Sequence, residues 1–370
     1  MRWFMNPAVR RDDTFRGIFS DEEYRDVRTY AERQHYPELS STPLTQLHAI
    51  ARACGIASVH AKDETHRHGV NAFKITGVGY AVERIGVDAA RRGLVCATAG
   101  NHGRAVARVA RQRGVPCTVF LPIARTPDPI ELRTRRARAD AMREDGATVI
   151  EVDGTYEEAV ARAATFGAEK GATVVSDTSW DGYEQIPRWI MAGYTQIFEE
   201  ASQQWDERPD LVIVQGGVGG LLCAAVSWFA ARYGAGRPFV VATEPEHAAC
   251  LLESARIGSP TTITGSLNTI MAGLRCAEPS PLAWPAIAAG VDAFVTVSDA
   301  SAVDMMVTLT GGADSERIDA EPSGVCGLAA LRDIALAPEL SGLRVAVHGG
   351  RRVLGAHTRV LVVITEGSVR

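Results

Sequence analysis

The chain has 370 residues, 46% hydrophobic and 22% charged, enough for one large or two medium domains with cores of their own. A formal net charge of −5 and a pI near 6.0 give none of the basic footprint of a nucleic-acid binder. No run of 18 apolar residues appears, so neither a membrane span nor a membrane partner is expected.

The N-terminal "MRWFMNPAVRRDD" has no apolar leader run, and the seven cysteines are scattered, odd in number and never spaced C-x-x-C. Both features lead us to expect buried free thiols in a reducing cytoplasm. The charged run "KDETHRH" comes next; its histidines, His66 and His68, lack companions at ligand spacing and are expected in a surface turn rather than a metal site. Directly after it, "GVNAFKITG" sets Lys74 at a helix start, where a lysine has more to do than in an exposed loop.

From residue 94 onward short β-rich runs alternate with helical patterns. They are "LVCAT", "CTVFL", "TVIEV" and "TVVSD", each followed by a helix, then "LVIVQ", "FVVATEP", "AFVTVSD" and "VLVVIT". Alternation of this kind predicts βαβ units and parallel sheet, and the nearly unbroken V/I/L content predicts strands buried on both faces. The fold class is therefore α/β, with parallel-rich sheets flanked by helices. The four units of residues 94–177 predict a small sheet of their own. The expected division is a large domain of residues 1–83 and 187–370 and a smaller, mobile α/β domain of residues 84–186. The arginine-rich "IELRTRRARADAMRED" interleaves acids and alanines at helical spacing, which predicts a solvated helix face.

Two strand-to-helix turns carry most of the chemistry. In "LVIVQGGVGGLLCAAVSWF", Gly216, Gly217, Val218, Gly219 and Gly220 lie between a buried strand and an apolar helix. Glycines let backbone N–H groups approach an anion, and the helix N-terminus adds unpaired donors. Phosphate is the natural guest, although the spacing is neither Walker A nor G-x-G-x-x-G, and a plain tight turn would read the same. In "ATAGNHGRAVA", Asn101 stands where α/β proteins bind ligands, or else caps the following helix. Thr365, in "VLVVITEGSVR", ends a late buried strand, where its hydroxyl could meet a ligand ring or simply end a strand.

Taken together, "NAFK", the Gly-Asn-His-Gly turn, the tetraglycine loop and the late hydroxyl residue resemble the fold-type II pyridoxal 5'-phosphate enzymes, the tryptophan synthase β-like superfamily. The likeness spans nearly the whole chain, from "SSTPLTQL" to "EPSGVCGLAAL" and "ITEG". Within the superfamily, "NAFKITG", "GNHGRAVA", "EPSGV" and above all "DTSWDGYEQIPRWIMAGY" resemble the diaminopropionate ammonia-lyase group. The resemblance implies that Lys74 forms the imine with the cofactor and then serves as the base for the α-proton. It implies further that Gly216 to Gly220 cradle the cofactor phosphate, that Asn101 meets the ring oxygen and that Thr365 faces the ring nitrogen. Asp177 would recognise the substrate's β-ammonium, with a helix-cap or turn role as its bland alternative.

The implied activity is α,β-elimination of L-2,3-diaminopropionate or a similar β-substituted alanine to aminoacrylate, then pyruvate and ammonia, by a cytoplasmic homodimer. A β-replacement synthase sharing the aminoacrylate, or a non-catalytic binding protein on the same fold, stay open at this level. The group's pattern reads Thr-Asp-Gly-Asn-His-Gly, with the aspartate as a second base on the opposite face of the cofactor, whereas this chain has Ala99 there. The change implies preference for a single enantiomer.

Overall fold

The computed structural model describes residues 1–33, 41–98, 100–123 and 129–368. Thirteen strands are found among them. In chain order they are β1 (Trp3–Met5), β2 (Leu44–Gln46), β3 (Ser58–Asp63), β4 (Leu94–Ala97), β5 (Cys117–Ile123), β6 (Thr148–Asp153) and β7 (Thr173–Val174). The rest are β8 (Leu211–Gln215), β9 (Phe239–Pro245), β10 (Ala293–Val297), β11 (Val347–His348), β12 (Arg351–Arg352) and β13 (Arg359–Ile364).

The chain divides into two compact units, Met1–His66 with Thr195–Ser368, and Arg67–Tyr194. The second boundary falls inside the helix Gln185–Gln203. This division groups Lys74 and its helix with the smaller unit, outside the 84–186 span drawn from the sequence.

The larger unit is built on a seven-stranded sheet in the order β1-β10-β9-β8-β13-β3-β2, parallel through its centre and antiparallel only at the two edges. Its central strands read as uninterrupted apolar runs because helices cover both faces. β8, β9 and β10 are buried at every residue. On one face the helix Pro322–Leu336 packs against β8, β9, β10 and β13, and its Val325, Leu328, Leu331 and Ile334 join Ile213, Val241, Val295 and Val362 in one core. Gly324 in its first turn lies so close to the Glu366 carbonyl that a β-carbon would collide with it. That contact is the physical reason for a glycine in "EPSGV".

The smaller unit holds a parallel sheet, β6-β5-β4-β7, as the alternation from residue 94 predicts. Its core is the cluster of Val95, Ala97, Phe120, Val152, Ala159 and Ala163. The edge strand β7 stops at Val174, three residues short of Asp177, because the chain turns away through "SDTSW".

Two expectations need correction. The surface turn expected at His66 to His68 is only partly one: His66 is exposed and His68 half-buried, but Arg67 between them is fully buried, and Lys62, Asp63 and Glu64 just ahead are buried too. Lys62 tolerates burial because its Nζ donates to the Thr42 carbonyl at 2.6 Å and pairs with Glu200 at 2.8 Å. The arginine-rich helix, Pro129–Glu144, does present a solvated face, with Arg136, Asp140, Arg143 and Glu144 exposed, while Arg135 and Arg138 are buried with Ala139 and Met142. Finally β1, β2, β3, β11 and β12 lay outside the predicted strands, although β3 pairs along its full length with β13. All seven cysteines are free, five of them buried, and no metal-holding cluster of His, Cys, Asp and Glu occurs among the described residues.

Candidate active site

Lys74 opens the helix Lys74–Ile85, and small residues fix that helix in place. A β-carbon on Gly77 would sit 2.5 Å from the Ile190 carbonyl, and one on Gly193 would sit 2.8 Å from Gly77 Cα. The "KITG" and "MAGY" helices therefore cross with their backbones nearly touching. Just before Lys74 the chain turns sharply at Asn71, whose φ of +59° is a left-handed conformation that Asn tolerates. The lysine side chain is mostly covered, with Nζ 5.1 Å from the Phe73 ring centre and 5.8 Å from that of Tyr194.

Lys74 Nζ donates to Asp177 Oδ2 at 2.5 Å, across 103 residues of sequence. The diagnostic "DTSWDGYEQ" phrase supplies the geometry. The Tyr183 hydroxyl donates to the Val174 carbonyl at 2.8 Å and accepts from Ser176 N at 2.9 Å, pinning the backbone just ahead of Asp177. Trp180 stacks on Tyr183, with ring centres 4.1 Å apart and planes 14° apart, and Gly182 makes the turn with φ +79°. Burial would raise the Asp177 carboxyl, but Lys74 and His102 outweigh it and hold the group well below the usual carboxylate range. Asp177 caps no helix here.

His102, which the sequence reading passed over, completes the cluster. Its Nε2 lies 2.8 Å from the Val175 carbonyl, and a carbonyl only accepts, so Nε2 carries a hydrogen. That leaves Nδ1 facing Asp177 Oδ2 at 3.7 Å. The signal was present in "GNHG", which puts a histidine in the first turn of the helix after the strand, where it is buried. Asn101 itself is the first residue of the helix Asn101–Arg113. Gly100 occupies the cap position and no side chain caps it, so the capping alternative for Asn101 falls away. Ala99 lies outside the described residues.

The larger unit carries the other candidate residues. After β8, Gly216 N donates to the Thr243 carbonyl at 2.8 Å, Gly217 has φ +65° and Gly219 has φ +99°. The helix Gly220–Tyr233 begins there with no side-chain cap, as an anion-binding turn requires. Val218 is held by its carbonyl, which accepts from Ser280 N at 2.8 Å. Thr365, at the end of β13, is buried, with its hydroxyl 3.4 Å from Gln215 Nε2 and 3.5 Å from the Ser323 carbonyl. Gln215 was missed as well. Its amide nitrogen reaches the Gly324 carbonyl at 2.8 Å and that of Val363 at 2.9 Å, tying β8, β13 and the "EPSG" turn together at the carboxyl ends of the strands.

Comparison with known proteins shows the family of the chain. The family profile of pyridoxal-phosphate dependent enzymes matches residues 36–349. Diaminopropionate ammonia-lyase of Salmonella typhimurium is 32% identical over 362 residues, covering 90% of this chain and 86% of that protein. The protein of the same name from Escherichia coli K12 is 30% identical over 372 residues, covering 95% and 89%. The crystal structure of the Escherichia coli diaminopropionate ammonia-lyase in complex with an aminoacrylate-PLP azomethine reaction intermediate superposes with a TM-score of 0.86. It is 28% identical and covers 100% of this chain and 94% of that one. The residues present fit pyridoxal phosphate: one mostly covered lysine at a helix start, an uncapped helix behind two left-handed glycines, and a neutral hydroxyl at a strand end.

Proposed function

Because the chain belongs to the family of pyridoxal-phosphate dependent enzymes, we propose that it eliminates ammonia from L-2,3-diaminopropionate, giving aminoacrylate and then pyruvate and a second ammonia. The observation that carries this reading is the Lys74–Asp177 contact. A carboxylate kept ionised, in a turn pinned by Tyr183, already holds a primary ammonium, the group that distinguishes diaminopropionate from serine or threonine.

Pyridoxal phosphate, when bound, supplies an electron sink for the pair left at the substrate's α-carbon. Lys74 Nζ is the group that would hold it and, once released, take the α-proton. The backbone of Gly216 to Gly220 would hold its phosphate, Asn101 its ring oxygen, and the neutral hydroxyl of Thr365 its ring nitrogen. Asp177 keeps the β-nitrogen protonated, so that it leaves as neutral ammonia with the electrons of the C–N bond. With Lys74 as an ammonium and His102 beside it, Asp177 is held well below the usual carboxylate range. The same reading makes the protein a cytoplasmic homodimer, and its seven free thiols agree with a reducing compartment.

The test is a product assay on cofactor-loaded protein. Each L-2,3-diaminopropionate consumed should give one pyruvate and two ammonia, and Lys74→Ala should abolish both. Failure of the unmodified protein to release ammonia, or full turnover by Lys74→Ala, would overturn the assignment. Capture of an added thiol in place of pyruvate would turn it into a replacement enzyme.

A further inference from the structure

The amino-terminal ends of β8, β9 and β13 open into a cavity of about 900 Å³ that plays no part in the chemistry above. Five arginines line it, Arg208, Arg237, Arg351, Arg352 and Arg359, against a single acid, Asp210. His348 and His357 add two imidazoles. Such an excess stands out in a chain whose formal charge is −5.

The ion pairs sharpen it. Asp210 is taken up by Arg359 through two bonds, Nε to Oδ2 at 2.9 Å and Nη2 to Oδ1 at 3.1 Å. Arg237 is fully buried and shares Asp292 with Arg11. No carboxylate lies within ion-pair distance of Arg208, Arg351 or Arg352 among the described residues. Arg351 and Arg352 are presented by the hairpin β11–β12, whose two-residue turn, Gly349-Gly350, has φ of +56° and +77°. Glycine is what permits that tight turn, and the turn is what swings both guanidinium groups to one end of the sheet. A neighbouring hollow shares Arg351, His357 and Arg359 but brings in Asp206 and Glu207, so the basic excess belongs to the first cavity.

We propose that this cavity is a binding site for a small phosphate-bearing anion. Planar guanidinium forks match phosphate oxygens pairwise, and a concave setting turns several of them toward one bound anion. The volume admits a nucleotide-sized ligand. Nothing at this end could do the elimination chemistry, because the glycine turn and Thr365 follow the opposite ends of β8 and β13, roughly 16–20 Å away along the strands. It is a separate site on the larger unit, linked to the glycine turn and Thr365 by β8 and β13.

Titration calorimetry of the cofactor-loaded protein with sodium pyrophosphate and with ADP, at ionic strength held constant with sodium chloride, tests this. We expect saturable one-site binding of at least one of them. In the double variant R351E/R352E it should weaken by at least about tenfold, since each lost charged hydrogen bond is worth about a decade. R162E, which reverses an exposed arginine on the helix Tyr156–Lys170, should bind as the unmodified protein does. Both hairpin arginines are exposed, so the double variant should keep its melting temperature. Equal affinities for the two anions would assign recognition to the phosphate chain, and binding of ADP alone would add the nucleoside to it; either result supports the site. Absence of saturable binding by both, or an unchanged affinity in R351E/R352E, would overturn it.

Discussion

At the scale of single residues, Asp177 is where local and long-range structure meet. Its carboxylate serves an ammonium, so Asp177→Asn should lower kcat/KM for diaminopropionate by one to two decades, the cost of a lost charged hydrogen bond of about 1.5–3 kcal/mol. Turnover of L-serine, which has no β-ammonium, should fall much less, while the visible spectrum of the bound cofactor stays as it is. Parallel kinetics on the two substrates decide the matter, because an equal decline in both would mean that Asp177 only supports the fold. Ala99 sets a second expectation. With Lys74 as the one base, D-2,3-diaminopropionate should react about 10²–10⁴-fold more slowly than the L form, the usual value of general-base assistance. Ala99→Asp should recover part of that loss, and ammonia release from each pure enantiomer by both proteins measures it. Comparable D and L rates in the Ala99 protein would remove the one-base reading.

Among the elements, the turn after β8 separates two reasons for glycine. At Gly219 a β-carbon would run into Ile287, and φ is +99°, so Gly219→Val should lower the melting temperature even without cofactor. At Gly217 the nearest atoms to a β-carbon are 3.7 Å away, leaving only the left-handed backbone to resist substitution. Gly217→Val should therefore destabilise the cofactor-free protein by only about 1–2 kcal/mol while weakening cofactor binding at least tenfold. Fluorescence titration with pyridoxal phosphate, alongside thermal unfolding of the cofactor-free protein, reads the two effects apart. Unchanged cofactor affinity in both variants would reduce the turn to a chain reversal.

For the whole molecule, stability carries a pH signature from Glu244, the penultimate residue of β9. Its carboxylate accepts from Leu251 N at 2.8 Å and Leu252 N at 2.9 Å, capping the helix Cys250–Ile257. Burial outweighs those two bonds and pushes the group up from 4.5 to about 7. The folded state thus holds a proton that the unfolded chain releases near 4.5. The stabilisation is complete below that pH and disappears as pH rises through about 7, a loss of roughly 3 kcal/mol. Glu244→Gln, which mimics the protonated acid, should flatten the fall in melting temperature between pH 5 and 8. A fall of the same size in the variant would place the titration elsewhere.

Much of this protein is legible in its sequence, because much of it is local. Apolar runs of five to seven residues marked β8, β9, β10 and β13, and alternation with helices marked the parallel sheet, since both depend only on neighbours in the chain. Lys74 at its helix start and the glycines after β8 stood out for the same reason, and their resemblance to the fold-type II enzymes supplied the cofactor. β3 was lost because "SVHAKD" puts a lysine where burial is complete, which partners beyond the strand, among them Glu200, Gln204 and the Thr42 carbonyl, make affordable. Strand order was likewise decided by tertiary structure: apolar strands are nearly interchangeable as text, yet β13, the last in the chain, sits between β3 and β8. The same holds for Asp177 against Lys74 at 103 residues' separation, for His102 beside them, and for the arginines gathered from residues 208, 237 and 351 into one cavity. A residue's chemistry is written in its own side chain and immediate neighbours, but its partners are set by which strands and helices pack side by side, and that is decided only when the whole chain closes on its cores.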